Sequence, residues 1–429
     1  MSRRPTVAVA IHDGFYGCGT GAGYANYGFL ETLVDLLPRD VRLAVLPLWL
    51  ASSSPEHHSP WHTRVRGLLD RAGATIHPVS NDTSGQDRWG GLANFQALSS
   101  DTAATIVRDV AETSDQLLIV AFDVPFLGLA ELLPPELRDK VVLVPRSSAV
   151  LHTPHDAERI AWERRALTAG TRVATISSFM RDHLVRDYGV PREHLMPLPD
   201  GLCASDWHLL QHQAPPDIHL PGNFLLAMGR AEPYKGFDDL VDALALLRHG
   251  RTPVPHLVFA ATSETAEPTA YQRSLASRLR ELDISTTVIQ RFTPEVPALL
   301  RHPGLRGVVV PSRAEPFGRI PMEAFAAGAA PVITTTADGL AGQVIDGETG
   351  FTCAPGSPAE LATALTRAMS LGRSDLEAMR QRATLRALRD YDHHAAVRDF
   401  LTRAAPWFTV PDPDSRLRLL STLAPSHSS

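Results

Sequence analysis

The sequence is poor in lysine and in cysteine. Of its 41 basic residues only Lys140 and Lys235 are lysines, and its 429 residues include three cysteines, Cys18, Cys203 and Cys353. An odd number of distant cysteines without metal-ligand spacing excludes a disulfide framework and favours free thiols in a reducing compartment. We therefore expect a cytoplasmic protein, and a lysine kept among so many arginines suggests a specific role.

Long apolar runs and blocks of like charge are absent as well. No stretch approaches the ~20 apolar residues of a membrane span, and VAVAI after Arg3 and Arg4 is too short for the core of a signal peptide. The 41 basic and 47 acidic residues are mixed along the chain and give a net charge of -6. This mixture excludes a basic stripe for nucleic acid and a polybasic membrane patch. The expected partners are small molecules, and the oligomeric state stays open.

The sequence does contain a regular alternation of strand-length apolar runs with helical patterns. These runs are TVAVAI, VRLAVLPLWL, ATIHPV, QLLIVAF, VVLVP, RVATIS and HLMPLP, followed by NFLLAMG, HLVFAAT, TTVIQRF, GVVVPS, PVITTT and GFTCAP. Such alternation predicts βαβ units, and the chain is longer than the ~250–300 residues that one core covers. Residues 211–222 interrupt the pattern with three prolines. We predict an α/β protein whose two Rossmann-like doubly wound parallel-sheet domains, residues 1–215 and 222–390, face each other across a cleft.

A glycine-rich turn follows the first strand. Gly17, Gly19 and Ala22 in GCGTGAG fit the dinucleotide pattern G-x-G-x-x-A, which cradles phosphate in a strand-to-helix turn. A dinucleotide site also needs an acidic residue at the end of the second strand, where this chain has PLWL. The missing acid disfavours an NAD(P)-dependent oxidoreductase, which stays an alternative. A second alternative is that the glycines only permit a tight turn and bind no ligand.

Two carboxylates and two cations mark the second half of the chain. Glu315 and Glu323 flank the turn PFG after the run GVVVP, so both can face one hydroxyl-rich ligand, whose hydroxyls donate to carboxylate oxygens. The backbone amides of this turn, at a helix start, favour an anion. Arg230 and Lys235 share a strand-to-helix loop and suit a diphosphate. The alternative for all four residues is a set of solvated surface charges.

The segment from Phe224 to Thr352 resembles the nucleotide-sugar domain of retaining glycosyltransferases of family 4 (glycosyl transferases group 1), which have the GT-B fold of two facing Rossmann-like domains. The resemblance rests on Gly229–Ala243, on the E-x7-E of EPFGRIPMEAFAAG, and on the DG-x-TGF of Asp346–Phe351. It implies that a C-terminal helix and tail, about residues 391–429, return to complete the first domain. One departure is Arg319, because relatives usually have FGLP where this chain has FGRIP.

The resemblance also implies roles for individual residues. Those expected on the donor lie in loops and turns of the second domain: Arg230 and Lys235 for the diphosphate, Glu315, Pro316, Phe317 and Gly318 for the sugar, and Glu323 for the ribose. Those expected on the acceptor surround the first-domain glycine turn: Gly19, Gly21, Gly23, Asp13 and Tyr24. Arg230, Lys235 and Glu315 are expected to be catalytic together with His152, which we prefer to His155 as the family's histidine near the reacting sugar.

The predicted function is transfer of a sugar, with retention, from a nucleoside diphosphate sugar to a small polar acceptor. The arginine-rich bias suggests a high-GC bacterium, in which the acceptor would be a secondary metabolite such as an aminoglycoside. Donor base and sugar stay open, and UDP, GDP, ADP and dTDP sugars are the candidates; the base would be read near Arg291–Thr293. A phosphorylase or epimerase of the same fold and a non-catalytic sugar-nucleotide binding protein are further alternatives.

We expect no metal ion and no other cofactor. The pair His152-x-x-His155 lacks the third protein ligand that a zinc site needs. Asp412-Pro413-Asp414 resembles the metal-binding D-x-D of another glycosyltransferase class, but it lies in the proline-rich tail after the last predicted strand.

Overall fold

A computed structural model of the protein describes residues 3–214, 220–263, 265, 267–291, 295–329 and 331–409. The chain divides into two compact units. Of the described residues, unit 1 contains those up to Ile176, the segment Arg181–Ser205 and those from Asp392 onward. Unit 2 contains Ser177–Met180 and Asp206–Tyr391. The unit boundary after Ser205 therefore lies N-terminal to the proline-rich stretch at 211–222 that interrupts the sequence pattern.

Unit 1 is built on a parallel sheet of seven strands. The strands are β1 (Arg4–Ile11), β2 (Arg42–Pro47), β3 (Thr75–Ile76), β4 (Ser114–Phe122), β5 (Val141–Val144), β6 (Val173–Thr175) and β7 (Leu195–Pro197). Their order in the sheet is β3-β2-β1-β4-β5-β6-β7. The last six residues of each of the central strands β1 and β4 are buried, as expected where crossover helices cover both faces of a parallel sheet.

Helices connect these strands. They are α1 (Gly21–Leu36), α2 (Ser59–Arg71), α3 (Leu92–Thr105), α4 (Leu129–Leu132), α5 (Pro135–Arg138), α6 (Ala149–His152), α7 (Ala157–Ala169) and α8 (Ser178–Tyr188). The start of α1 is set by Thr20, whose hydroxyl accepts a hydrogen bond from the Gly23 amide and so satisfies a free donor of the first turn.

Unit 2 repeats this plan with six parallel strands. They are β8 (Phe224–Arg230), β9 (His256–Thr262), β10 (Thr286–Val288), β11 (Leu305–Val310), β12 (Val332–Thr335) and β13 (Gly350–Cys353), in the order β10-β9-β8-β11-β12-β13. The helices are α9 (Ala204–His212), α10 (Phe237–His249), α11 (Ala270–Glu281), α12 (Glu295–Ala298), α13 (Ile320–Ala326), α14 (Pro358–Met369) and α15 (Arg373–Asp390).

The end of the described chain returns to unit 1 as helix α16 (His393–Ala404). The sequence pattern suggests one helical stretch from Asp375 to about Ala405, but the structure breaks it after α15. Asp392 accepts a hydrogen bond from the Ala395 amide, and this cap begins a new helix. The His393 ring then hydrogen-bonds to Thr32, and α16 packs on α1 within unit 1.

Both sheets reverse their strand order at a defined place. In unit 1 the chain runs outward from β1 to β3 and then returns to place β4 beside β1. In unit 2 it does the same between β8 and β11. Ligands of open parallel sheets bind outside the carboxyl ends of the strands at such a switch point. The prediction of two doubly wound parallel-sheet domains is confirmed, and each domain has one candidate position for a ligand.

Within the described ranges, no helix is both long enough and apolar enough to cross a bilayer.

Candidate functional site

The switch point of unit 2 carries the two cations predicted for the donor. Arg230 is the last residue of β8, and Lys235 ends the short 3-10 turn Pro233–Lys235 that leads to α10. Gly236 follows with φ +68°, and a Cβ atom there would lie 2.0 Å from the carbonyl oxygen of Pro311. Only glycine fits this close approach of the two loops after β8 and β11.

Lys235 contacts the first of the two predicted carboxylates directly. Its Nζ atom lies 2.5 Å from Oε1 of Glu315, and the Ser312 hydroxyl donates to the same oxygen at 3.0 Å. Both side chains are largely buried, with the lysine 15% and the glutamate 8% exposed. Because Lys235 and Glu315 come from loops after neighbouring strands, the sheet topology brings them together.

The backbone of Glu315 is held as firmly as its side chain. Its amide donates to Asp338 Oδ2 at 3.1 Å, and its carbonyl oxygen accepts from the Gly339 amide at 2.7 Å. These bonds orient the carboxylate next to the Lys235 ammonium group before any ligand binds. Such preorganised charge is what a polar ligand with developing charge requires.

Arg230 joins this cluster through an aromatic ring. Its guanidinium donates to the Tyr234 hydroxyl, and Lys235 Nζ lies 5.3 Å from the centre of the same ring. The Tyr234 carbonyl oxygen accepts from the Arg313 amide at 2.7 Å, which fixes the turn against the loop after β11. Arg230 remains exposed to solvent, whereas Lys235 does not.

The turn Pro316–Gly318 is shaped from both sides. Gly318 has φ +85°, and the Gln343 side-chain amide donates to the carbonyl oxygen of Phe317 at 2.6 Å. The carbonyl oxygen of Pro316 accepts from the Ser177 hydroxyl at 2.8 Å. The helix after this turn, α13, has only seven residues. The predicted anion and sugar site therefore depends on the side chains of Lys235 and Glu315 more than on the N-terminus of this short helix.

Glu323, the second predicted carboxylate, lies on α13 in a separate ion-paired cluster. Arg319 Nε donates to Glu323 Oε1 at 3.0 Å, and a second guanidinium nitrogen of Arg319 donates to Asp206 Oδ2 at 3.0 Å. Burial raises the pKa of Glu323 and the Arg319 charge opposes this shift. Arg319, the departure from the family pattern, is thus the ion-pair partner of Glu323, and its second partner, Asp206 on α9, was not predicted from the sequence.

The switch point of unit 1 holds the predicted acceptor residues. Asp13 follows β1, and its carboxylate accepts from the Thr20 hydroxyl and pairs with Arg88, each at 2.5 Å. A Cβ atom on Gly23 would lie within 2.7 Å of this carboxylate. Gly23 therefore has to be glycine because Asp13 packs against the first turn of α1. The carboxylate of Asp13 is held within the protein and shapes the turn.

The other predicted acceptor residues are more accessible. Gly21, the first residue of α1, is exposed, and Gly19 is half-buried. Tyr24 is half-buried and packs edge-to-face on Trp61, with 5.4 Å between the ring centres.

Beside the glycine turn of unit 1 lies a buried polar network, most of which was not predicted from the sequence. Asn26 on α1 donates to Asp123 Oδ2 at 2.8 Å and accepts from Arg146 Nε at 2.5 Å, and Arg146 pairs with Asp200. Asp123 follows β4 with φ +74° and ψ 161°, a region that residues other than glycine rarely adopt. Burial raises the pKa of Asp123 to about 6. The only signal of this network in the sequence is the position of polar residues directly after strands.

The remaining predictions fall in different places. His152 is the last residue of α6 in unit 1, and the exposed His155 follows it. Among the described residues there is no group of three or more His, Cys, Asp or Glu side chains that could hold a metal ion. Asp412, Asp414 and the stretch 292–293 of the predicted base-reading segment lie outside the described residues. All three cysteines are buried free thiols.

Part of the chain is similar in sequence to known proteins. Residues 211–386 match the family described as glycosyl transferases group 1. A D-inositol 3-phosphate glycosyltransferase of Frankia alni is 29% identical over 226 residues, which are 51% of this chain and 55% of the relative. A glycogen synthase of Mycobacterium tuberculosis is 31% identical over 236 residues, 55% of this chain and 51% of the relative. The chain thus spans about half the length of the curated relatives it matches.

Solved structures resemble the chain over nearly its whole length. A sucrose-phosphate synthase of Thermosynechococcus elongatus covers 95% of this chain and 99% of its own, with a TM-score of 0.73 and 18% identity. The Anabaena protein HepE, solved in complex with UDP, covers 94% of this chain and all of its own, with a TM-score of 0.64 and 17% identity. At these identities the likeness concerns the fold.

Proposed function

We propose that this chain, whose residues 211–386 match the family described as glycosyl transferases group 1, is a glycosyltransferase. It moves a sugar from a nucleoside diphosphate sugar to a small hydroxyl-rich acceptor. The observation that carries the proposal is the contact between Lys235 and Glu315 at the switch point of unit 2, with Arg230 attached through Tyr234. This cluster places two cations and an oriented carboxylate where a sugar nucleotide would bind.

The donor chemistry follows from these charges. As the bond between the anomeric carbon and the diphosphate oxygen breaks, negative charge grows on the diphosphate. Lys235 and Arg230 stabilise that charge, and removing such a group typically costs ~10²–10³ in rate. Glu315 accepts hydrogen bonds from the sugar hydroxyls, and Glu323 accepts them from the ribose. A UDP sugar is the first donor to test, because the structurally similar HepE was solved with UDP.

The acceptor step completes the reaction. The acceptor hydroxyl forms the new bond to the anomeric carbon on the face from which the diphosphate leaves, and its proton passes to a leaving phosphate oxygen. The configuration of the sugar is therefore retained. His152 contacts the donor sugar during this step.

We place acceptor binding in unit 1, at the glycine turn with Gly19, Gly21, Gly23 and Tyr24 and near Asp123. The relatives are named for D-inositol 3-phosphate and for glycogen, so polyols, sugar phosphates and glucans precede aminoglycosides as acceptors to test. The reducing cytoplasm is the proposed compartment, in keeping with the three free thiols.

The experiment that tests the function has two stages. UDP, GDP, ADP and dTDP sugars are first ranked by thermal shift, and transfer from those that bind is then followed by mass spectrometry with the acceptor classes above. Lys235→Ala is expected to bind the donor more weakly and to lose roughly 10²–10³ of the transfer rate, because the diphosphate loses a buried cation.

Lys140→Ala is the matched control, since Lys140 is the other lysine and its side chain is exposed in unit 1. It should keep the wild-type rate. Near wild-type transfer by Lys235→Ala would contradict the proposed clamp. Donor binding with neither hydrolysis nor transfer would show a binding protein instead, and oxidation of NADH with binding of no sugar nucleotide would favour the oxidoreductase.

A further inference from the structure

Arg319 is a nearly buried arginine held between two carboxylates. Its side chain is 7% exposed, and it donates to Glu323 on α13 and to Asp206 on α9. The two carboxylates come from parts of the chain that are more than a hundred residues apart, so the pairing exists only in the folded unit. Taking three charged groups out of water is costly, and their mutual attraction rarely adds much stability.

The turn does not depend on this arginine for its shape. Gln343 already bonds the carbonyl oxygens of Phe317, Gly318 and Gly339, and Ser177 bonds that of Pro316. Gly318 supplies the positive φ that the turn needs. The role of the Arg319 charge therefore lies in its contact with the Glu323 carboxylate rather than in the shape of the turn.

We propose that Arg319 is a positioning residue for Glu323. The bond from Arg319 Nε to Glu323 Oε1 selects one orientation of the carboxylate and keeps it charged, and Asp206 holds the guanidinium in place from the other side. This inference rests on the proposed function, because it assigns Glu323 to the ribose hydroxyls of the donor nucleotide. Arg319 itself touches no reacting atom.

The charges around Glu323 give the proposal a signature in pH. Burial raises the pKa of Glu323, Asp206 raises it further, and Arg319 lowers it. On α15, which packs against α13, Arg386 pairs with Asp390 and donates to the carbonyl oxygen of Gly342. Without Arg319, the glutamate would bind its proton at a higher pH and lose acceptor capacity for two ribose hydroxyls. Without the Asp206 charge, the glutamate would stay ionised to a lower pH.

The test measures binding of UDP, or of whichever nucleoside diphosphate the wild type binds, by titration calorimetry between about pH 5 and pH 8. Arg319→Leu is expected to weaken binding at least about tenfold near pH 6 and to regain part of it toward pH 8. Asp206→Asn is expected to shift the pH profile in the opposite direction and to hold affinity at lower pH. Arg319→Gln, which keeps the length of the side chain, repeats the measurement in case the leucine variant does not fold.

Arg278→Leu is the matched control, because Arg278 on α11 also bridges two carboxylates, Asp238 and Asp242 on α10. It should leave the pH profile of binding unchanged. If the variants at 319 and 206 weaken binding equally at every pH, or not at all, the positioning role is wrong while the proposed function stands. If the wild type binds no nucleoside diphosphate at any pH, both the function and the role of Arg319 are overturned.

Discussion

At the scale of single residues, a main feature of this protein is a set of buried ion pairs in the loops after its strands. Arg88 with Asp13, Arg146 with Asp200, and Lys235 with Glu315 are all ion pairs with little exposure. Replacing such pairs by apolar residues is often neutral or stabilising, so stability alone does not explain them. Their value lies in holding charges at the switch points in fixed orientations, where a polar ligand meets them without reorganisation.

Asp123 is the residue under the clearest strain. Its backbone is in a region that suits glycine, and its carboxylate is buried beside Asn26 and within the field of Arg146. Strain of this kind costs about 1–3 kcal/mol and persists where the surroundings impose it, most often at functional sites. Its position after β4, beside the glycine turn, supports its assignment to the acceptor side.

The raised pKa of Asp123 predicts how stability depends on pH. Burial moves the pKa from 3.8 to about 6, so over that range the unfolded chain releases a proton that the folded protein keeps. Stability should therefore fall as the pH rises through this window, by up to about 3 kcal/mol at this site. Asp123→Asn keeps an oxygen for Asn26 but cannot ionise, so it should match the wild type near pH 4 and exceed it near pH 7.5. Thermal unfolding at the two pH values measures the difference.

The control for this prediction lies on β4, the strand that precedes Asp123. Asp115 in β4 is exposed, and Asp115→Asn should show the same small difference from the wild type at both pH values. A stability gain for Asp123→Asn that does not change with pH would mean that strain or packing, rather than ionisation, dominates at this position.

At the scale of elements, the loops after β8 and β11 form the proposed donor site because they lie against one another. The hydrogen bond from the Arg313 amide to Tyr234 and the contact of Gly236 with Pro311 tie the two loops together. The loop after β8 contains Lys235 and the loop after β11 contains Glu315, so neither loop alone contains both partners of this ion pair. The parallel order of strands brings them together, since neighbouring strands end at the same edge of the sheet.

Gly236→Ala tests this contact between loops. A Cβ atom would lie 2.0 Å from the Pro311 carbonyl oxygen, so the loop has to move in addition to adopting a strained φ. We expect a loss of stability above the ~1–2 kcal/mol of the left-handed backbone alone, and weaker donor binding because Lys235 moves with the turn. Urea unfolding and donor titration measure the two effects.

Gly356→Ala separates backbone strain from contact. Gly356 has φ +70° in the same unit, but no atom lies within 4 Å of the position of an added Cβ. This variant should lose only the backbone part and bind the donor as the wild type does. Equal losses of stability for the two variants would show that the contact with Pro311 is unimportant.

At the scale of the whole molecule, the proposed reaction depends on protein cations for the diphosphate. Arg230 and Lys235 supply two positive charges at the switch point of unit 2. The described residues include no cluster of three or more side chains suited to a metal ion. We expect transfer to continue at an undiminished rate in EDTA, measured with enzyme that was dialysed against the chelator. A strict requirement for manganese would contradict this expectation.

The family match and the similar solved structures cover different parts of the chain. The match of residues 211–386 lies wholly within the range of unit 2, whereas the solved neighbours cover both units. Unit 2, the proposed donor half, is therefore the part that the family model covers. In the proposed function acceptor choice rests on unit 1, whose glycine turn and buried network are the places to vary in a search for specificity.

The sequence by itself determined the alternating parallel architecture and the identity of the charged loops, because both depend on local patterns. Apolar runs of strand length predicted all thirteen strands, and motif spacing singled out Lys235, Glu315 and Glu323. Only the tertiary structure decided which charged side chains contact one another. Lys235 contacts Glu315, Arg319 bridges to Asp206, and Asp123 is strained, because burial and pairing depend on residues far apart in the chain that only the packed sheet brings within hydrogen-bonding distance.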